Sequence, residues 1–411
     1  MYNWTVIFLV SCDNAGDQLQ ALKTMLEQIL ACTISQQVAV VFCINMPVET
    51  VPLIDNTYVP PATLSDAKTT LFYRIELNQA GVGPKSQLVK IKEDPNFCLV
   101  KKGDVQRYFQ EVVIGGGYEA DRYLLFTWGH GAAAGLYYNN QQDNTGRWNM
   151  LFIDDLRDAI LGAFQSGGVQ KLKLAIMMNC YMQFFDAGYA LSLAGVEYLV
   201  SSEYGADFFG YNYAKIFDTL YAQPGDATPE ILARLAVSSL GEDRKLRRQL
   251  FFGAFFVSDL GLYDKLGVAI NTLGRQLNLE MAKQGQSAKI GAAVKGCWPY
   301  INSTYCLVDF FRFVRGIRRR LGRDWEKELI EELLGFQRVL KETHYYGWLM
   351  RLLPLATGFS VNIPLRRNNA FFGRFTCPRS TFVTSFCHHS DWAEFVASYS
   401  KYLGSTNCSA A

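Results

Sequence analysis

The sequence predicts an α/β protein with six mainly parallel strands flanked by helices, followed by a mostly helical C-terminal region. Two observations predict this class. Apolar runs of strand length recur between segments of helical spacing, and the chain opens with the order strand, helix, strand at Trp4–Cys12, Gly16–Leu30 and Val38–Ile44. Because two strands joined through a helix pair in parallel with a right-handed crossover, this opening already indicates a parallel sheet.

The rest of the chain continues the alternation of strands and helices. Leu71–Leu77 and Phe97–Lys102 alternate apolar and polar residues, which is typical of a peripheral hairpin or of edge strands. The six strands expected in the sheet are Trp4–Cys12, Val38–Ile44, Tyr123–Gly131, Leu174–Tyr181, Val196–Ser202 and Leu250–Leu260. The helices expected beside them are Gly16–Leu30, Val105–Val113, Ile153–Gln165, Phe184–Leu193, Tyr211–Tyr221, Pro229–Leu240 and Tyr263–Ala282.

A change of composition at Lys283–Gly296 predicts a boundary between residues 1–283 and a C-terminal region of residues 284–411 packed on them. In that region we expect helices over residues 307–321, 324–342 and 391–403 and a strand over residues 358–364. The segment Arg315–Arg323 contains five arginines, and we interpret it as the solvated face of a helix.

Composition excludes several classes of protein. The 411 residues are 49% hydrophobic and 19% charged, which excludes a disordered chain and allows a large core. The 40 basic and 38 acidic side chains leave a net charge of only +2, so nucleic acid and anionic membranes are not expected partners.

The location and the cofactors are predicted from what the sequence lacks. No apolar run approaches the roughly 18 residues of a membrane span, and the N-terminus has no basic segment typical of a secretory signal. The ten cysteines contain no CxxC pair and no spacing typical of a zinc site. We therefore expect a cytoplasmic monomer with reduced cysteines that needs no metal or other cofactor.

Two of the predicted strands each end in a reactive side chain. His130 lies between two glycines after one apolar run, and Cys180 follows another such run fifty residues later. At the carboxyl ends of neighbouring parallel strands, an imidazole and a thiol form a general base and a nucleophile. Gly131 allows close approach of a substrate carbonyl, and its N–H with that of Cys180 could form an oxyanion hole.

Other interpretations of this pair stay open. A cysteine at the end of an apolar strand and a buried histidine are often only parts of a core, and no carboxylate is identifiable as a third catalytic residue. The alternative functions are a catalytically silent scaffold or adaptor that binds proteins, and a non-proteolytic thiol hydrolase or transferase on another α/β fold.

The same residues carry a family resemblance. The segments TWGHG, which contains His130, and NCYMQFFDAGYAL, which contains Cys180, resemble the histidine and cysteine blocks of the clostripain family of cysteine endopeptidases. The opening WTVIFLVSCDN, the segment VEYLVSSEYGADFFGYNY and the C-terminal GFSVNIP are also similar to family segments. The resemblance implies a caspase-like fold, and the spacing of fifty residues is the one known for the caspase pair.

The resemblance implies an activity. His130 would be the general base and Cys180 the nucleophile of a cysteine endopeptidase that forms an acyl-enzyme without a metal. Its partners would be a protein or peptide substrate and a regulatory or inhibitor protein.

One departure from the family pattern concerns the substrate. Members that cleave after arginine or lysine carry an aspartate two residues before the cysteine, where this chain has Met178. Glu203 or Asp207, in the loop after the next strand, could supply the missing negative charge. Both alternatives therefore stay open for the residue before the cut: a basic residue, or an apolar or small one.

Family members are also often cut once between the histidine and the cysteine. In this chain Arg147 lies in the polar loop between His130 and Cys180. We expect cleavage near Arg147 to activate the enzyme.

Overall fold

In a computed structural model, helices cover both faces of a nine-stranded sheet. The structure describes residues 1–12, 16–58, 68–78, 84–133, 135–137, 150–166, 169–206, 211–240, 252–297, 301–302, 307–346, 356–363, 386 and 390–406.

The elements are numbered here in chain order. The strands are β1 (Tyr2–Ser11), β2 (Val38–Pro47), β3 (Lys68–Leu77), β4 (Ser86–Asp94), β5 (Ala120–Trp128), β6 (Gly135–Leu136), β7 (Leu151–Phe152), β8 (Gln165–Ser166), β9 (Val169–Gln170), β10 (Leu172–Met178), β11 (Tyr198–Ser202), β12 (Phe252–Asp259), β13 (Ile301–Asn302), β14 (Leu307–Asp309), β15 (Leu340–Tyr346) and β16 (Ser360–Asn362). The α-helices are α1 (Gly16–Leu30), α2 (Lys102–Arg107), α3 (Ile153–Phe164), α4 (Phe185–Leu193), α5 (Tyr213–Ala222), α6 (Pro229–Ser239), α7 (Tyr263–Met281), α8 (Gln286–Lys295), α9 (Phe310–Leu321), α10 (Lys327–Gly335) and α11 (Asp391–Thr406).

The large sheet is mixed. Its strand order is β15-β12-β11-β10-β5-β1-β2-β3-β4. The five central strands from β11 to β2 pair in parallel, whereas every pairing outside them is antiparallel. The α/β class is confirmed, but the prediction of a six-stranded, mainly parallel sheet is wrong.

Antiparallel strands extend the sheet on both sides for identifiable reasons. Among the described residues two helices, α5 and α6, lie between β11 and β12, and β12 runs antiparallel to β11. Strand β15 occupies sequence that was predicted to continue a helix to residue 342. The helix instead ends at Gly335, and the β-branched and aromatic residues that follow pair with β12.

The hairpin at the other edge has a different second strand from the predicted one. Strand β3 pairs with Ser86–Asp94, not with Phe97–Lys102, which forms turns leading into α2. The sequence of β4, SQLVKIKED, is rich in charged residues because it is the exposed edge of the sheet. Its single apolar face is too weak to indicate a strand from sequence alone.

The two faces of the sheet have separate hydrophobic cores. Helices α1, α5 and α6 cover one face, in the core that contains Met178 and Val200. Helices α3, α4 and α7 cover the other face together with the helices beyond residue 283, in the core that contains Leu199. The domain division at residue 283 stays a prediction. No helix among the described residues has the length and apolar character needed to cross a membrane.

Candidate active site

The carboxyl ends of β5 and β10 lie side by side. In this parallel pair Trp128 is the register partner of Met178. His130 comes two residues after Trp128, and Cys180 comes two residues after Met178. The register therefore brings the predicted histidine and cysteine to the same edge of the sheet, where α/β folds place their sites.

The side chain of Asn179 joins the two strand ends. This residue is fully buried, and its Nδ2 donates hydrogen bonds to the carbonyl oxygens of Gly129 and His130, both at 3.0 Å. Its Oδ1 accepts a hydrogen bond from the Thr127 hydroxyl at 2.6 Å. Because all three partners belong to β5 or the residues just after it, Asn179 fixes the backbone of His130 relative to that of Cys180.

The backbone of Gly131 contacts that of Cys180. A Cβ atom at Gly131 would lie 2.6 Å from the carbonyl oxygen of Cys180 and 3.0 Å from its nitrogen, so only glycine allows this approach. The chain then turns back at once, because Gly131 bridges to Leu136 and the N–H of Tyr137 donates to the His130 carbonyl at 2.7 Å. The two residues predicted for the oxyanion hole are thus in contact.

The ring of His130 is exposed and has a buried partner. Its Nε2 lies 3.0 Å from the side-chain amide nitrogen of Gln18, which belongs to α1 and is 1% exposed. Rotation of this amide by 180° would present its oxygen to the same ring nitrogen, which would then carry the proton. Gln18 can therefore orient the imidazole in either tautomer.

The sulfur of Cys180 contacts the loop that follows β11. The described part of this loop is Glu203–Ala206. The N–H of Ala206 donates to the Sγ of Cys180 at 3.3 Å, and the N–H of Tyr181 donates to the carbonyl of Tyr204 at 2.9 Å. A backbone donor at this distance stabilises negative charge on the sulfur.

The two described candidates for the substrate pocket are both buried. Met178 is 1% exposed and belongs to the core on the α1 side of the sheet. Glu203 is 4% exposed, and its Oε1 accepts a hydrogen bond from the Ser360 hydroxyl of β16 at 3.0 Å. The carboxylate of Glu203 therefore faces the C-terminal region and not the core that contains Met178.

A second buried carboxyl group lies near Glu203. Asp309, at the end of β14, accepts hydrogen bonds from the N–H of Arg312 at 2.9 Å and from the hydroxyl and N–H of Thr357 at 2.6 and 2.5 Å. The Oε2 of Glu203 accepts none in the described part of the chain. Burial, followed by the charge of Asp309, raises the pKa of Glu203 well above its ordinary value. Burial also raises the pKa of Asp309, but the hydrogen bonds from Thr357 and Arg312 oppose that shift. A proton on this pair is therefore favoured at Glu203.

Two predicted site residues, Asp207 and Arg147, lie outside the described residues. Within the described ranges no three histidine, cysteine, aspartate or glutamate side chains form a group that could hold a metal ion.

Three features of the site were not predicted from sequence. Asn179 is the residue before Cys180, and its position suggested no role, although an amide next to a strand-end cysteine can pair with backbone groups of the adjacent strand. Gln18 is 112 residues from His130 in the sequence, and the backbone N–H of Ala206 has no sequence signal at all. Both depend on how the elements pack.

The comparisons with sequence families and with solved structures point to the same family. The sequence model of the clostripain family, peptidase family C11, matches residues 78–305, which is more than half of the chain. No curated protein matches the sequence.

Solved structures share the fold. A secreted C11 cysteine protease from Bacteroides thetaiotaomicron in complex with an irreversible peptide inhibitor has a TM-score of 0.62 at 13% identity, over 96% of this chain and 99% of that one. An inactive zymogen C11 protease from Parabacteroides distasonis has a TM-score of 0.60 at 15% identity, over 88% of this chain and 92% of that one. At these identities the likeness shows the fold.

The comparisons also correct one expectation. Two of the matching Bacteroides thetaiotaomicron structures are described as secreted C11 cysteine proteases. This finding overturns the cytoplasmic location predicted from the N-terminal sequence and the cysteines.

Proposed function

This chain belongs to the clostripain family of cysteine peptidases, and we propose that it is an endopeptidase with Cys180 as nucleophile and His130 as general base. One observation carries the proposal. The buried amide of Asn179 bonds to the backbone of His130 from the residue that precedes Cys180, so the base and the nucleophile are positioned by one rigid connection. A histidine and a cysteine that were merely parts of the core would not require it.

The reaction begins with a proton transfer from the Cys180 thiol to His130. The thiolate then attacks the peptide carbonyl carbon, a C–S bond forms, and the carbonyl electron pair moves to its oxygen. Gln18 holds Nε2 of the ring, so we assign the proton transfer to the other nitrogen, Nδ1. The N–H of Ala206 stabilises the thiolate before it attacks.

Acyl transfer and hydrolysis complete the cycle. The N–H groups of Gly131 and Cys180 would stabilise the oxyanion, a contribution typically worth about 3–4 kcal/mol for each lost donor. The C–N bond breaks as His130 gives its proton to the leaving amine. His130 then takes a proton from water, the hydroxide adds to the acyl carbon, and the C–S bond breaks to release the acid and regenerate Cys180.

The substrate is a peptide, as the family and the peptide inhibitor bound to a structural relative support. Preference for arginine or lysine before the cut would need a carboxylate in the pocket that receives the charged end of that side chain. Glu203 is buried against Ser360 and its pKa is raised by burial, so we propose Asp207 as the acid that selects a basic residue. The monomeric state and a regulatory partner stay predictions.

Activation is a separate proposal. A structural relative is described as an inactive zymogen, and we propose that cleavage near Arg147 activates this chain. Arg147→Gln should keep the purified protein intact and inactive. A fully active preparation that mass spectrometry shows to be uncut at Arg147 would contradict the proposal.

The activity is tested by digesting a diverse peptide library with the purified chain and recording the residue before each cut by mass spectrometry. Cuts that disappear in Cys180→Ala and in His130→Ala establish the peptidase. Asp207→Asn should then abolish preference for arginine or lysine, whereas Glu203→Gln should keep it.

The negative outcomes distinguish the alternatives. Absence of cuts even after deliberate nicking near Arg147, with no labelling of Cys180 by a peptidyl electrophile, would favour the silent scaffold. Labelling of Cys180 by a simple acyl ester but not by a peptidyl electrophile would favour a non-proteolytic thiol hydrolase.

A further inference from the structure

A basic cavity lies between α8 and α9, in the C-terminal region. It has a volume of about 210 Å³, and its lining includes Arg312, Arg315, Arg319 and Arg320 but no acidic residue. None of its residues belongs to the candidate active site. Gly316 forms part of the wall, where a Cβ atom would lie 3.3 Å from that of Ala293, so the two helices approach closely beneath the arginines.

The sequence of α9 produces this surface. Arg312, Arg315 and Arg319 are spaced three and four residues apart, so they lie along one side of the helix. Phe313 and Ile317 are buried on the opposite side. The arginine-rich segment is therefore only partly the solvated face predicted from sequence, because three of its members, Arg315, Arg319 and Arg320, line a concave surface.

One cavity arginine, Arg312, interacts electrostatically with the buried carboxyl group of Asp309. Within the described part of the chain the other three have no neutralising acid. Arg315 donates to the neutral Oε1 of Gln337 at 2.9 Å, and neither Arg319 nor Arg320 forms an ion pair there. The ion pair on this helix belongs to Arg318, which lies outside the cavity and is 3.7 Å from Glu331. Like charges gathered in a partly enclosed space repel one another, and an anion would relieve that repulsion.

We propose that this cavity binds a small, multiply charged anion that bears phosphate groups. Guanidinium groups form paired hydrogen bonds with phosphate oxygens, and the three that lack an acidic partner among the described residues exceed the roughly half-unit negative charge at the C-terminal end of α8. The volume of about 210 Å³ is large enough for a phosphate or pyrophosphate group. Arg319 and Arg320, the exposed pair, form the entrance.

The test is calorimetric titration of the full chain with inorganic pyrophosphate at constant ionic strength. Saturable binding at one site is expected. Arg319→Gln should raise the Kd about tenfold or more, as expected for loss of a charge-assisted pair. Arg323→Gln makes the same change of charge outside the cavity and should alter the Kd less than about twofold. Arg315→Lys keeps the charge but loses the planar fork, so it should also weaken binding.

Each opposing outcome overturns the proposal. Equal losses in Arg319→Gln and Arg323→Gln would mean diffuse electrostatic attraction without a built site. Absence of saturable binding to folded protein would exclude the site. Binding of a polyglutamate peptide but not of pyrophosphate would show that the surface recognises acidic peptides instead. Because the assay measures binding without proteolysis, its result is independent of the proposed peptidase activity.

Discussion

Replacing Asn179 by aspartate should disconnect the histidine from the cysteine while changing only one atom of the side chain. The amide donates to the carbonyls of Gly129 and His130. A carboxylate has no N–H and would place negative charge against both oxygens. The hydrogen bond from the Thr127 hydroxyl would remain. The substitution therefore removes the two bonds that hold the His130 backbone and keeps the third.

The magnitude follows from the buried groups that lose their donor. The Gly129 carbonyl loses its donor, which costs roughly 1–3 kcal/mol. The His130 carbonyl keeps the hydrogen bond from the N–H of Tyr137, so loss of its second donor costs roughly 0.5–1.5 kcal/mol. The two together predict a loss of about 1.5–4.5 kcal/mol of stability. Burial of the new charge adds to this loss unless the carboxyl takes up a proton. Misplacement of His130 by about 1 Å would lower kcat/KM on the order of a hundredfold.

Urea unfolding and kcat/KM for a cleaved peptide measure the two effects. The matched control is Thr127→Val, which removes the hydroxyl donor to the same side chain but keeps both bonds from Asn179 to the His130 segment. It should lose about 1–3 kcal/mol of stability and most of its activity should remain. Unchanged kcat/KM in Asn179→Asp, or equal loss of activity in both variants, would refute the positioning role of the amide.

Three further predictions concern neighbouring groups. The pKa of buried Glu203 is raised, so its contribution to stability is present below the ordinary pKa of 4.5 and is lost as the pH rises toward the pKa of the folded state. Glu203→Gln should therefore flatten the decline, above pH 4.5, of the unfolding free energy measured in urea. An unchanged slope would contradict the assignment of the proton. Gln18→Met should lower kcat about tenfold without unfolding the chain, because the imidazole loses the partner of Nε2. Gln18→Glu should move the acidic limb of the pH profile of kcat/KM to higher pH, because the carboxylate stabilises the imidazolium. An unshifted limb would argue against the contact. Gly131→Ala should lower kcat/KM on the order of a hundredfold, because its Cβ would lie 2.6 Å from the Cys180 carbonyl oxygen. The control is Gly117→Ala, at a position with a φ of +86° and open space around it. This variant should lose stability and retain activity.

The sequence could predict those site residues that lie at the carboxyl ends of strands. The apolar runs before His130 and Cys180 predict buried parallel strands, and parallel strands present their carboxyl ends at the same edge. The register that matches Trp128 with Met178 then follows from the pairing of β5 with β10. Local pattern was sufficient for this step because both strands are buried on their two faces.

The parts that sequence could not predict depend on distant packing. The sequence indicates that Glu203 is a loop acid that could reach a substrate, but its carboxylate is buried and accepts a hydrogen bond from the hydroxyl of Ser360 in β16. The edge strand β4 was missed because its charged side chains suit solvent exposure and hide the period of two. Strand β15 was missed because only a 3-10 helix, Phe336–Val339, separates it from α10, so the helical spacing extends as far as the strand. For Glu203 and β15, a contact with a remote segment outweighs the local pattern.

The origin of β15 bears on how the chain can be shortened. Residues 340–346 cover one edge of β12 in the main sheet, although they come from beyond the predicted boundary at residue 283. A fragment that ends at residue 283 would leave β12 as an outer strand whose Ala254, Phe255, Phe256 and Val257 are normally buried. Its unpaired backbone groups would be a template for association with other copies. Such a fragment is expected to aggregate during expression. In the full chain β15 of the C-terminal region covers this edge of the sheet and prevents such association.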